Sequence, residues 1–411
     1  MSDPSLRAIS LLGYLAMIGI AWLASTDRRS FPWRVVLPGC AIQLALGLLL
    51  LRTPPVRSAF FRGMSAVVDR FLSYAEAGTN FVFGALAEGG FSIFVNVLPI
   101  IIFSGCLFSV LYHWGVLQVV VDAFAGVLTR VMKVSGAESL CAAANVFVGM
   151  TEAALVVKPY LPHMTRSELF SLMAVGMSTV AGSVMLAYIR MLGGGDFAGH
   201  LATASLLSAP AGLLLAKVMV PEKGTPETGG AGHTEVERTS VNVIDAAAQG
   251  ALAGLRLASY VGALLIAFVA MIHLVNDLIG AAGGVFGFPE LSLEWILGKL
   301  FAPLAWLMGV PWEDAAKVGS LMGVKTVLNE FLAYQQLAAA IEQGALGERS
   351  AVIASYALCG FANFGSLAIL LGGIGGLCPE RRPEVASLGL RCILAGSLAT
   401  FMSGCVAGML L

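Results

Sequence analysis

The chain has 411 residues, 58% hydrophobic and 12% charged, with a formal net charge of −1. Water-soluble domains carry about 25% charged residues, so this composition excludes an ordinary soluble fold and specifies a polytopic helical membrane protein. No basic block is present, which argues against a nucleic-acid partner. None of the seven cysteines forms a C-x-x-C pair, and nearly all sit in apolar runs as small buried hydrophobes.

Residues 9–24 form the first apolar run. Only Arg7 precedes it, while Arg28, Arg29 and Arg34 follow, which fits a retained span with its C-terminal end inside better than a cleaved signal peptide. Residues 35–51 return outward. Residues 52–88 mix glycine, aromatic and polar residues and are expected to cap the outer face. Their four arginines (Arg52, Arg57, Arg62 and Arg70) conflict with the positive-inside rule. Residues 91–112 are the third span. Residues 116–131 are apolar on one side and read as a helix lying along the inner surface.

The stretch 135–188 is apolar yet cannot be a simple spanning helix. Ser135-x-x-Glu138 and Thr165-x-x-Glu168 read as capping boxes, each opening a helix. About ten residues separate the first box from Gly149-Met150-Thr151-Glu152, and about ten more lead to Pro159 and Pro162. Ten helical residues cross about half of a hydrocarbon core of ~30 Å. The economical reading is a re-entrant hairpin with its tip over residues 148–152. A second weak point follows at residues 176–182, inside the next apolar helix. Broken helices leave main-chain polar groups at mid-depth, tolerated only around a cavity or a bound ion.

Residues 197–220 form another span, and residues 221–241 a Gly/Pro/Thr-rich cytoplasmic linker. Residues 257–279 span again. Residues 291–308, with Trp295 and Trp306, are amphipathic and expected at the outer surface. Residues 314–346 repeat the hairpin design with a tip at 325–331, and residues 350–374 form a span interrupted at 360–366. A basic turn at 380–383 precedes the last span, 386–411. Thr151-Glu152 followed by Gly176-x-x-Thr179 recurs as Asn329-Glu330 followed by Gly360-x-x-Asn363, an internal repeat. The fold expected is all-α and polytopic, with about eight transmembrane helices and two re-entrant hairpins arranged as an inverted repeat, plus interfacial helices. The units are the N-terminal helices 1–90, a scaffold helix with the inner interfacial helix 91–134, the first hairpin repeat 135–220, the linker 221–241, a second scaffold helix with the outer amphipathic helix 242–312, and the second hairpin repeat 313–411.

Glu152 and Glu330 stand in apolar surroundings. An intramembrane carboxylate is costly and faces a polar cavity or a partner. One reading is structural, with each acid satisfied by a helix N-terminus or by Lys325. The other is substrate binding, because a carboxylate can accept two hydrogen bonds from a vicinal diol. Gly193-Gly194-Gly195-Asp196 matches the GxGD pattern of intramembrane aspartyl hydrolases, whose chemistry needs a second membrane aspartate. The only candidate is Asp277, so Asp196 reads as a loop residue. The five histidines lack metal spacing, and no phosphate-binding loop is present for ATP.

Several long motifs carry a resemblance. AESLCAAANVFVGMTEAALVVKPYLPHMTRSELF followed by TVAGSV resembles the first hairpin and fourth helix of the concentrative nucleoside transporters. The likeness continues through NVIDAA, LFAPLAWLMGVPWEDA, LNEFLAY, YALCGFANFGSLAILLGGIGGL and PERRPEVASLGLR, and is weakest at 221–241. It implies a multi-pass protein of the cell membrane, not an enzyme, that imports nucleosides with sodium by elevator-type movement of the two-hairpin core across a trimeric scaffold. Lipid surrounds it and no nucleic acid is involved. By this resemblance Glu330 takes the ribose with Asn363 and Ser366, Thr151 and Glu152 face the base, and Met150, Val184 and Phe361 complete the substrate site. Sodium falls to Asn145, the carbonyls of Val148 and Val180, and the Thr179 hydroxyl. The family usually has Gln where Met150 stands; methionine offers only a weak acceptor, which opens the alternative of a nucleobase or a nucleoside derivative as substrate. A proton can replace sodium if Glu152 or Glu330 titrates in the physiological range.

Overall fold

The computed structural model describes residues 4–87, 92–228, 240–285, 287–288 and 290–411. The expected boundary at 90/91, residues 229–239 of the linker and His233 lie outside the described residues. Among the described residues all regular structure is helical. The first two helices are α1 (Pro4–Leu23) and α2 (Trp33–Gly47), the latter extended by a π turn to Arg52. At 20 residues each, both runs match the ~30 Å hydrocarbon core.

Most of the segment expected to cap the outer face is one helix, α3 (Pro54–Phe83). Pro54 and Pro55 occupy its first turn, where a missing N–H costs nothing. Phe61, Val68, Phe71, Leu72, Ala75 and Thr79 are its buried residues. That helical spacing makes one apolar stripe out of a composition that looks merely mixed when read linearly. Helix α4 (Leu98–His113) follows. Helix α5 (Val116–Met132) buries Leu117, Val121, Ala125, Leu128 and Met132 on one face, as expected of an amphipathic helix.

The two capping boxes are present and open α6 (Gly136–Asn145) and α8 (Arg166–Ser178). Between them lies α7 (Met150–Val156), only seven residues long. The hairpin tip is therefore the loop 146–149, and Met150, Thr151 and Glu152 form the first turn of α7 rather than the tip itself. After α8 the chain breaks at Thr179–Ala181 and resumes as α9 (Gly182–Met191). Gly193, Gly194 and Gly195 all have positive φ and turn the chain into α10 (Asp196–Met219). The GxGD pattern is thus a glycine turn that only residues without Cβ adopt freely.

Helix α11 (Val243–Val285) is 43 residues long, far beyond the expected span of 257–279. At ~1.5 Å per residue it extends to ~65 Å, about twice the hydrocarbon core. It packs against α4 backbone to backbone. A Cβ on Gly105 would lie 2.7 Å from the Gly250 carbonyl oxygen, and one on Gly254 2.7 Å from that of Ile101. Gly250-x-x-x-Gly254 is the small-residue spacing that permits such approach.

Helices α12 (Leu293–Leu307) and α13 (Trp312–Val327) meet at a bend of 117°. Helix α14 (Glu330–Glu342) closes the second hairpin. The second interrupted span is α15 (Glu348–Leu358) and α16 (Phe364–Leu377), and α17 (Arg382–Leu410) ends the chain. Among the described residues seven helical runs are long and apolar enough to cross a membrane, and the bent α12–α13 pair makes an eighth if counted as one span.

Helices α8, α10, α15 and α17 form the most enclosed bundle, and here the two interruptions meet. A Cβ on Gly360 would lie 3.0 Å from the carbonyl oxygens of both Met177 and Ser178. The break in the second interrupted span therefore sits directly on the end of α8. At one end of the bundle Lys217 ties the hairpin to the linker. Its ammonium meets Glu138 at 2.6 Å, Glu222 at 3.1 Å and Ser167 at 3.0 Å.

Candidate functional site

The first half of the site is the meeting of the α6–α7 tip with the break between α8 and α9. The Gly182 N–H donates to the Phe147 carbonyl at 3.1 Å, fastening tip to break. Asn145, the last residue of α6, is buried and donates through Nδ2 to the Cys141 carbonyl at 3.0 Å. Its Oδ1 is buried without a hydrogen-bond partner and points toward Gly176, whose hypothetical Cβ would lie 3.8 Å away. The Thr179 hydroxyl donates to the Val175 carbonyl at 2.9 Å, leaving its lone pairs free. Thr179 and Val180 are buried in the break, and Val184 is buried in the first turn of α9. An orphaned amide oxygen at the tip, with a hydroxyl oxygen and unwound carbonyls in the break fastened to it, is a donor set suited to a small hard cation. Among the described residues no group of three or more His, Cys, Asp and Glu is arranged to hold a metal, and the oxygens that Asn145 and Thr179 offer are neutral.

Met150 is buried at the start of α7 against Gly176, 3.0 Å from where a Cβ there would stand. Thr151 donates to the Glu152 carboxylate at 2.9 Å, and Glu152 is exposed. The second half of the site lies at the α13–α14 tip. Asn329 caps α14 through the Leu332 N–H at 2.9 Å, which fixes Glu330 in the first turn. Glu330 is 7% exposed and accepts from two directions. The Tyr188 hydroxyl of α9 donates at 2.8 Å to one oxygen, and Asn363 Nδ2 donates at 2.7 Å to the other. Asn363 in turn caps α16, its Oδ1 accepting the Ser366 N–H at 2.7 Å. Both ends of the Asn363 amide are thereby assigned, and the carboxylate is held by a rigid frame.

The two acids stand in different environments and share no hydrogen-bonding partner. Helix α16 connects their surroundings. Asn363 at its start meets Glu330 and accepts the Ser366 N–H, while farther along Leu370 lies near Gly176 and Gly373 packs on Thr151, 2.9 Å from a hypothetical Cβ. From Ser366 to Gly373 the helix rises ~10 Å. Half-buried Phe361 lies within the break itself.

Lys325 does not satisfy Glu330. Its ammonium is fully buried and donates to the Ala357 carbonyl and the Thr400 hydroxyl, both at 2.9 Å, with the Phe401 ring 5.5 Å away. It clasps the end of α15 to α17 behind the tip, because carbonyls at a helix C-terminus attract cations. Tyr188 was not legible as a site residue. The one signal was a hydroxyl at the end of a membrane-depth stretch, which requires a partner when buried. It also stacks on Tyr334 at 4.4 Å.

Three family models together match most of the chain. They are described as Na+ dependent nucleoside transporter N-terminus (residues 12–86), nucleoside recognition (94–195) and Na+ dependent nucleoside transporter C-terminus (200–408). The chain is 44% identical to the uncharacterized transporter YutK of Bacillus subtilis, over 97% of this chain and 98% of that protein. It is 41% identical to the nucleoside permease NupC of Helicobacter pylori, over 97% of each. The fold matches the transporter CNTnw in an inward-facing substrate-bound state with a TM-score of 0.92, at 43% identity over 98% of each chain. A two-residue variant of CNTnw in an outward-facing state matches at 0.94, with 43% identity over 99% of this chain and 98% of that one.

Proposed function

The chain belongs to the concentrative nucleoside transporter family, a family of multi-pass cell-membrane transporters and not of enzymes, and on that premise we propose that it imports nucleosides by sodium symport. The observation that carries this reading is the Glu330 carboxylate, held by Tyr188 and Asn363 with one acceptor site on each oxygen still unused. Two adjacent acceptors match the vicinal hydroxyls of a ribose. Asn363 and Ser366 flank them. The base extends along α16 toward Met150, Thr151 and Glu152, with Val184 and Phe361 as apolar walls. Sodium takes the oxygens of Asn145, Val148, Thr179 and Val180, for which the unpartnered Asn145 Oδ1 is the supporting observation.

Coupling follows from shared structure. Thr179 and Val180 begin the break, and Tyr188 on α9, the helix that resumes directly after it, reaches Glu330. A cation that orders the break therefore also sets the ribose anchor, and the two ligands favour each other. The two hairpins and two broken helices move together as an elevator against a scaffold of α4 and α11, assembled as a homotrimer in lipid. Met150 supports a second reading of substrate range. Buried where the family usually presents a glutamine, it gives the base no strong hydrogen bond, which favours broad selectivity or a modified base. Uptake of labelled uridine and adenosine into proteoliposomes tests the proposal. An inward sodium gradient is expected to drive accumulation. Accumulation under a proton gradient alone would replace sodium by protons, and no uptake of either nucleoside under both gradients would overturn the reading.

A further inference from the structure

Three of the four arginines that violate the positive-inside rule converge on one place. Arg52, Arg57 and Arg62 line a cavity of about 660 Å³ with Asp196 and the apolar residues Leu51 and Leu410. The α2 run ends at Arg52, α10 begins at Asp196, and α17 ends at Leu410. A cavity where three membrane-crossing helices end lies at the water–lipid boundary, at the depth of headgroups.

Each guanidinium is oriented but not spent. Arg52 gives one N–H to the Leu410 carbonyl at 3.3 Å, Arg62 gives Nε–H to the Ser58 carbonyl at 3.0 Å, and Arg57 lies over the Phe61 ring at 5.4 Å. None of the three has a carboxylate within 4.0 Å among the described residues. With five donors apiece, most remain available. Three guanidiniums stand against one lining aspartate, and the main-chain oxygen of Leu411 is already taken by Arg7 at 2.7 Å.

We propose that this cavity binds a phosphate group, held by the guanidinium forks of Arg52, Arg57 and Arg62, and that the phosphate is the headgroup of an anionic phospholipid. Guanidinium forks match phosphate oxygens in pairs. The walls of Leu51, Phe61 and Leu410 suit a glycerol backbone and the first methylenes of an acyl chain, which a free ion would leave unfilled. The same lipid resolves the charge conflict, because bound headgroups neutralise arginines that sequence rules place on the wrong side. The site lies apart from the proposed nucleoside anchor and stands or falls separately from it.

The test uses the purified full-length protein in detergent, titrated with phosphatidylglycerol, phosphatidylcholine or inorganic phosphate, followed by thermal unfolding and by native mass spectrometry of retained lipid. Phosphatidylglycerol is expected to raise the midpoint by several degrees more than phosphatidylcholine, and one or more molecules to be retained. R57Q/R62Q should abolish both effects, whereas R70Q, which removes the arginine outside the cavity, should keep them. The exposed positions of Arg57 and Arg62 leave the double variant free to fold, and unchanged nucleoside binding would confirm that it has. An equal phosphatidylglycerol response in wild type and R57Q/R62Q would overturn the proposal. A response to inorganic phosphate equal to that to phosphatidylglycerol would overturn the lipid as its source.

Discussion

Replacing Glu330 by glutamine keeps the shape of the side chain and removes its charge. In the native site the carboxylate accepts from Tyr188 at 2.8 Å and Asn363 at 2.7 Å, and in the proposed complex also from two ribose hydroxyls. A hydrogen bond to a charged acceptor contributes ~1.5–3 kcal/mol, one between neutral groups ~0.5–1.5 kcal/mol. Two ligand bonds that each lose about 1–1.5 kcal/mol together cost ~2–3 kcal/mol, a rise in Kd of ~30–150-fold. The new amide must also present its NH2 to one of the two donors. Tyr188 can rotate its hydroxyl to accept, whereas Asn363 is fixed by its cap on Ser366, so the amide nitrogen turns toward Tyr188 and the fold survives. Isothermal titration of uridine into detergent-solubilised protein reads the effect, with the unfolding midpoint as a control. A Kd within about threefold of wild type, in a protein of unchanged stability, would refute the assignment of Glu330 to the ribose.

Other consequences can be measured separately. Met150→Gln restores an amide at the start of α7 and should shift the ranking of nucleosides in a competition panel; an unchanged ranking would make Met150 neutral packing. Lys325→Met leaves the buried Ala357 carbonyl without its donor, and should cost ~1–3 kcal/mol and lower the unfolding midpoint; an unchanged midpoint would contradict the clasp. Partial burial pushes the Glu222 carboxyl up, but Lys217 nearby, the Gly224 N–H and the Thr165 hydroxyl outweigh it and hold the pKa below the ordinary value. A carboxyl depressed in the folded state stabilises above its unfolded pKa of about 4.3 and loses that contribution as pH falls through the folded value. Acidification from about pH 5 to about pH 3 should therefore lower the midpoint of wild type more steeply than that of Glu222→Gln, and parallel slopes would contradict it.

Much of this architecture is written as local chemistry. Both capping boxes sit where Ser135-x-x-Glu138 and Thr165-x-x-Glu168 place them. The interruptions at Thr179 and Gly360 follow from polar and glycine residues inside apolar runs. Helix lengths were less legible. Helix α3 hides its stripe in a polar composition, and α11 runs 43 residues because nothing in its polar first turns breaks the helix before the apolar part begins. The α6–α7 tip ends sooner than expected, since Met150, Thr151 and Glu152 are good first-turn residues and restart the helix at once. Contacts between distant segments were hidden altogether. Tyr188 lies 142 positions from Glu330 and Lys325 lies 75 from Thr400, and neither pairing leaves a trace in local spacing.

The central claim is that one break serves both the cation and the nucleoside, so each must strengthen the other's binding. Titrating uridine in sodium chloride and again in choline chloride at equal ionic strength measures that linkage. Sodium is predicted to lower the uridine Kd ~10–100-fold in wild type and to have no effect in Asn145→Leu. Equal affinity of the wild-type protein in the two salts would contradict the account.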